Sequence, residues 1–152
     1  MVGDKVTWWP EYVQITPPLV PLQPSFVIFD TETSCGGKQA EIIQLVAETK
    51  GGGLFSRFTT PTKEISPQTS QVNKFIVSWV GGKKILYRGG NILQTDPFCE
   101  RLRSFVDFFA DSKGSCDKIV LIGHNSAFFV ARIVLRTIQE YSPKLGIKNP
   151  FC

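Results

Sequence analysis

The stretch Phe26-Val27-Ile28-Phe29-Asp30-Thr31-Glu32-Thr33-Ser34 constrains this chain more than any other. Four apolar residues run directly into two carboxylates. A short apolar run rich in β-formers and bounded by turn residues reads as a buried strand. In extended chain, alternate side chains share a face, so Asp30 and Glu32 point the same way if the strand continues to Glu32. Two like charges at a strand end repel and resist desolvation. A cation between them relieves both costs, and hard divalent ions such as Mg²⁺ take oxygen ligands. The pair is therefore a candidate metal corner. An Asp-x-Glu after an apolar run also serves as a solvated turn with a cap, and at this point both readings stand.

The totals fit one domain of 152 residues, with 42% hydrophobic residues and 12 Phe to build a core. The net charge of +4 permits a polyanionic partner without demanding one. Cys35, Cys99, Cys116 and Cys152 are scattered and form no Cys-x-x-Cys pair, so free thiols in a reducing compartment are expected. With a single His, a zinc site is not expected. No apolar stretch is long enough to span a bilayer, and the N-terminus lacks the pattern of a signal peptide. The expected location is intracellular, nucleus or cytoplasm, with no membrane partner.

Residues 1–24 read as a leader containing Pro10, Pro17, Pro18, Pro21 and Pro24 between Trp8, Trp9 and other apolar residues. It is expected to lie extended across the domain or to belong to a partner. The domain proper is expected over 25–152. A second strand is expected over Glu41–Glu48 and a third over Leu54–Thr60, joined by a glycine turn at 50–53. Such short connections make an antiparallel meander. Ser66-Pro67 reads as a helix cap with proline at the first helical position, opening a helix to about Phe75. Residues 75–93 read equally as a small hairpin or a long loop. There Lys83, Lys84 and Arg88 lie near Trp79 and Tyr87, which suits either a single-strand grip or a plain surface hairpin.

A helix capped by Thr95 or Asp96 is expected from Pro97 to about Ser112. Phe98, Leu102, Phe105, Val106 and Phe109 form its apolar face, with Arg101 and Arg103 off that face. A fourth strand is expected over Lys118–Ile122 and a last helix over about Ser126–Tyr141, ended by Pro143 and Gly146. Arg132 and Arg136 suit either a phosphate track or a solvated face with an Arg136–Glu140 pair.

Two motifs then stand together: Phe29-Asp30-Thr31-Glu32-Thr33-Ser34 after one strand, and Leu121-Ile122-Gly123-His124-Asn125 after another, before a helix. This pair, in this order of elements, resembles the DEDD family of 3′–5′ exonucleases in the ribonuclease-H-like superfamily. The resemblance covers Ser25 to about Gly146. It implies an α/β fold: a ribonuclease-H-like mixed sheet, an antiparallel three-stranded meander plus a further strand, with flanking helices. It implies Mg²⁺ or Mn²⁺ as cofactor, with two ions acting on the scissile phosphate. Asp30 and Glu32 would be the metal-binding and catalytic residues, and Thr33, His124 and Asn125 would contact substrate. The implied partner is a nucleic acid 3′ end, single-stranded DNA or RNA.

The chain departs from the family pattern at two places. The family puts an aspartate four or five positions after the Asn of the second motif, and here those positions are Phe129 and Val130. The third family motif, a His or Tyr followed by Asp, is not found after Asn125, so the expected domain is C-terminally truncated. A missing general base alone costs about 10²–10⁴ in rate. The expectation is an exonuclease-like nucleic-acid-binding domain with impaired hydrolysis. The alternative is an inactive module that binds nucleic acid or protein.

Overall fold

A computed structural model of the chain describes residues 23–123 and 129–146. The element order is β1 (Pro24–Thr33), β2 (Ile42–Thr49), β3 (Leu54–Phe58), α1 (Pro67–Asn73), β4 (Phe75–Val80), β5 (Lys83–Arg88), β6 (Asn91–Ile92), α2 (Phe98–Lys113), β7 (Lys118–Gly123) and α3 (Ala131–Leu145). The fold is mixed α/β. One sheet has the order β3-β2-β1-β7, and a second, smaller one has the order β4-β5-β6. The expected leader lies outside the described residues, apart from Gln23 and Pro24, the latter opening β1.

The meander forms as the short turns dictate: β1 pairs antiparallel with β2, and β2 with β3. The fourth strand, β7, runs parallel to β1, with Phe26 opposite Val120 and Phe29 opposite Gly123. A parallel neighbour needs a long crossover, supplied here by everything between β3 and β7. Alternation along β1 sends Val27 and Phe29 into the core. Phe26, Ile28 and Asp30 take the opposite face.

The helix-side core holds Val27, Phe29, Leu45, Ala47 and Phe55 from the sheet, Leu102, Phe105 and Phe109 from α2, and Ile133, Val134 and Ile138 from α3. Its aromatic members meet edge-on or tilted, with ring centroids 5.3 Å apart for Phe55–Phe105 and 4.4 Å for Phe105–Phe109. Truncating a buried Phe in such a cluster typically costs about 3–5 kcal/mol.

A register shift between Glu32 and Thr33 puts Gln44 opposite Glu32 but Ile42 opposite Thr33. Ile43 is the residue left over, a bulge in β2. Its side chain joins a second cluster with Phe75 and Leu86 rather than the helix-side core. That cluster roots the small sheet.

Residues 75–93, readable as hairpin or loop, form this three-stranded sheet. Its turns are Gly81-Gly82 (φ 56 and 77) and Gly89-Gly90 (φ 56 and 86), pairs of left-handed residues that suit two-residue hairpins. Ser66 caps α1 as expected, its side chain accepting from the Thr69 N–H, and Pro67 fills the first turn. That helix ends at Asn73, earlier than Phe75, because Lys74 turns left-handed (φ 63).

Four expectations are corrected. Neither Thr95 nor Asp96 caps α2; the cap position falls on Pro97, and the Asp96 carboxylate is turned to Arg57 at 3.5 Å. Arg101, expected off the apolar face, is among the most buried side chains of the protein, at 1% exposure. The last helix runs past Tyr141 to Leu145 with Pro143 inside its final turn, and Gly146 (φ 63) closes it by donating to the Ser142 carbonyl. Pro143 is tolerated there because it forfeits only one bond, at the frayed end. The expected Arg136–Glu140 pair does not form. Glu140 meets Lys144 at 3.6 Å, while Arg136 donates to the Lys38 and Ala40 carbonyls at 2.6 and 3.1 Å. Two fixed backbone acceptors outcompete a mobile surface pair worth about 0.3–0.5 kcal/mol.

No described helix is long and apolar enough to cross a membrane. Cys35, Cys99 and Cys116 are free thiols.

Candidate functional site

Asp30 and Glu32 both lie on β1, and the β1–β2 ladder stays regular through Glu32. Alternation therefore places both carboxylates on one face of the sheet. It is the face that α2 and α3 leave uncovered: Ile28 and Ile122, neighbours across β1 and β7, are 58% and 47% exposed. Asp30 is exposed and Glu32 half-buried. The Thr31 N–H donates to Asp30 Oδ1 at 2.8 Å, which limits the rotation of that carboxylate. The opposite strand brings no second charge, because Glu32 faces Gln44 and Asp30 faces Val46.

The segment after the acids is tightly fastened. Thr33 points inward and is buried; its hydroxyl donates to the Cys35 carbonyl at 2.9 Å, and its own carbonyl accepts from Asn73 at 3.4 Å. Ser34 is fully buried: its hydroxyl and its N–H bond Glu41, and its carbonyl accepts from the Ser66 N–H at 2.8 Å. The bulge at Ile43 is held by Arg101, whose Nη1 donates to the Ile42 and Ile43 carbonyls at 2.8 and 3.3 Å. Burial depresses the Arg101 pKa to about 10, against a smaller opposing pull from Asp96. Arg101 Nε and Nη2 are buried and have no partner among the described residues.

The structure thus brings Asp30 and Glu32 together, and places Thr33 beside them but on the other face with its side chain committed internally. His124 and Asn125 lie outside the described residues. The strand end that precedes them does not: Gly123 is in register with Phe29, one residue before Asp30. Phe129 packs against the core and Val130 is buried within it, so neither position offers a ligand. Among the described residues, no three His, Cys, Asp or Glu side chains gather closely enough to hold an ion. Two hard oxygen donors on an open face suit partial ligation of one Mg²⁺ or Mn²⁺, with phosphate or water completing the shell. They do not make up the ligand set of a two-ion site.

Sequence reasoning missed Arg101 and the partners of Arg136. It also missed a cleft of about 540 Å³ between the 38–42 segment, the 59–63 segment, the start of α2 and the face of α3. Phe98 and Tyr141 meet edge-on there at 4.7 Å. Neither Asp30 nor Glu32 lines it. The signal for Arg101 was present: it sits three residues after Phe98 and four before Phe105, on the buried stripe.

No family model matches the chain, and no curated protein matches it.

Proposed function

We propose that this chain is an exonuclease-like domain of the DEDD type, with a ribonuclease-H-like fold, that binds nucleic acid 3′ ends and hydrolyses them poorly. The observation that carries the reading is the placement of Asp30 and Glu32. They share the open face of a central strand whose parallel neighbour ends at Gly123, opposite Phe29 and one residue before Asp30, where the Gly-His-Asn run begins. The sheet order β3-β2-β1-β7, a meander plus one parallel strand, also agrees with that fold. Asp30 and Glu32 would hold one divalent ion, and the ion would bring the terminal phosphate of a single-stranded DNA or RNA to the strand end. With Phe129 and Val130 apolar and packed, the second ion lacks its ligand, so no hydrolytic step follows from these residues.

The test is calorimetric titration of the chain with Mg²⁺ and Mn²⁺, beside Asp30→Ala. Binding heat in the parent and none in the variant is expected, together with slow or absent degradation of a 3′-overhang DNA. Equal heats in the two proteins would remove the metal site. Enzyme-like degradation by the purified chain would overturn the claim of impairment.

A second reading, a binding module without any hydrolysis, is favoured by the burial of Val130. Nucleic acid binding that persists unchanged without Mg²⁺ and leads to no cleavage distinguishes it.

A further inference from the structure

Between Glu64 and Asp96 the sequence has no acidic residue, yet it carries Lys74, Lys83, Lys84 and Arg88. Outside this stretch the chain has 13 Lys and Arg against 13 Asp and Glu, so the entire net charge of +4 resides on it. The stretch is α1 and the small sheet. The sheet is built to project: Phe75 and Leu86 at its base are buried with Ile43, while β4 becomes exposed towards the Gly81-Gly82 turn.

On the projecting part stands Trp79, 69% exposed. It is directly opposite Lys84, whose Nζ lies 5.6 Å from the ring centroid and donates to the Thr62 carbonyl at 2.5 Å. Trp79, Lys84 and Lys63 line one side of a groove of about 600 Å³ that runs under β4 beside Ile65 and Val77. Glu64 is the acid of that groove. The other side of the sheet carries a cross-strand row, Ile76, Tyr87 and Ile92, of which Ile76 and Ile92 are exposed.

A small sheet gains stability by covering its large side chains, and folding alone gives no reason to leave an indole and a row of isoleucines in water. Concentrated positive charge calls for a polyanion. An exposed indole beside a lysine calls for one with flat, stackable faces. Single-stranded nucleic acid has both, and bases stacking on an aromatic ring inside a basic groove is the general mode of sequence-tolerant binding. An acidic peptide would meet the charge but leave Trp79 unused.

We infer that the β4–β6 sheet is a platform for single-stranded nucleic acid, with a base stacked on Trp79 and phosphates met by Lys84, its cross-strand neighbour on the same face. Arg88 lies on the same face as Lys84, four residues along β5 and so about 13 Å away, in line to meet the strand further on. The inference rests on the nucleic-acid reading given above but uses none of its metal chemistry. It places a track for the strand on an element separate from the acidic corner.

The experiment is fluorescence anisotropy of labelled oligothymidylate and oligouridylate of about 12 nucleotides, in EDTA, across a salt series. The full chain is expected to bind. Trp79→Ala is expected to bind roughly 5- to 100-fold more weakly, as stacking on one aromatic ring implies, and Trp79→Phe to recover most of the loss. Lys84→Ala is expected to lower the salt slope by about 0.7. Trp79 is exposed and Lys84 half-exposed, and neither belongs to a buried cluster, so these variants keep the core intact. The proposal is overturned if the parent chain does not bind, or if Trp79→Ala binds as the parent does. It is also overturned if polyglutamate displaces the oligonucleotide as well as unlabelled oligonucleotide does, since the platform would then serve acidic protein. Because EDTA removes any ion at Asp30 and Glu32, a failure of the calorimetric test leaves this one standing, and the reverse holds.

Discussion

Replacing Arg101 with methionine separates two effects that burial has put on one side chain. The first is the cost of the charge. A depression from the ordinary guanidinium value to about 10 corresponds to roughly 3 kcal/mol against the charged form in the folded state. The second is the benefit of its hydrogen bonds: one well-formed bond to the Ile42 carbonyl at 2.8 Å and a longer one to Ile43 at 3.3 Å. Bonds from a charged donor contribute about 1.5–3 kcal/mol each, less for poor geometry. The two effects nearly cancel. Methionine keeps most of the stem's volume over Phe98, so Arg101→Met is expected within about 1.5 kcal/mol of the parent in stability. Alanine loses the bonds and leaves a cavity as well, so Arg101→Ala is expected to cost about 3–5 kcal/mol.

Urea denaturation of the three proteins measures this, with unchanged slope as the sign that the unfolded states are comparable. The pH dependence adds a check. The folded pKa of this base lies below the unfolded one, so the unfolded chain holds more protons only between about 10 and the ordinary guanidinium value, and the penalty is relieved as pH rises through that window. Below it both states are protonated, and the parent–methionine difference should stay flat. If Arg101→Met is as damaging as Arg101→Ala, the guanidinium is a net stabiliser and the desolvation argument is wrong. If both are neutral, Arg101 does not hold the bulge.

Phe129→Asp supplies a carboxylate at a position the family pattern reserves for one. It should tighten Mn²⁺ binding about tenfold or more by calorimetry, as one further Coulomb partner of about 1–4 kcal/mol implies, while lowering stability through lost core contact. Ser66→Ala removes the acceptor for the Thr69 N–H and should cost about 1 kcal/mol in urea denaturation, the usual value of an N-cap.

The parts of the fold legible in the sequence are those set by local rules. Period-two alternation alone puts Asp30 and Glu32 on one face. Short turns gave the meander, and Ser66-Pro67 gave a cap that forms. Two glycine pairs marked the turns of the small sheet, but β4 did not declare itself: in Ile76-Val77-Ser78-Trp79-Val80 the apolar residues fall on both faces, so alternation gave no signal. Arg101 was misplaced because its charge argued against burial, although its spacing from Phe98 and Phe105 put it on the buried stripe. The Ile43 bulge left no local mark, since register is a property of two strands together. The absence of a ligand at Phe129 and Val130 was legible from residue type alone.

The Ile43 bulge lies between the acidic corner and the small basic sheet. If β2 ran regularly through Ile43, parity would send this side chain toward α2, and the β4–β6 sheet would lose the residue against which Phe75 and Leu86 pack. With the extra residue, Ile42 joins the helix-side core and Ile43 the second cluster. The same irregularity falls directly after Glu32, where the regular pairing of the acidic strand ends, and exposes the Ile42 and Ile43 carbonyls to Arg101. The Ile43 carbonyl also accepts from the Thr59 N–H at 2.8 Å, which ties in the segment leading to the groove under β4. The acidic corner and the basic sheet thus both meet at this displaced residue, alongside the bonds that Asn73 and Ser66 donate to the Thr33 and Ser34 carbonyls. A strand bound along Trp79 and Lys84 would meet a rigid frame whose other end carries the carboxylates, and geometry of that kind favours binding by removing the ordering cost that a loop would incur.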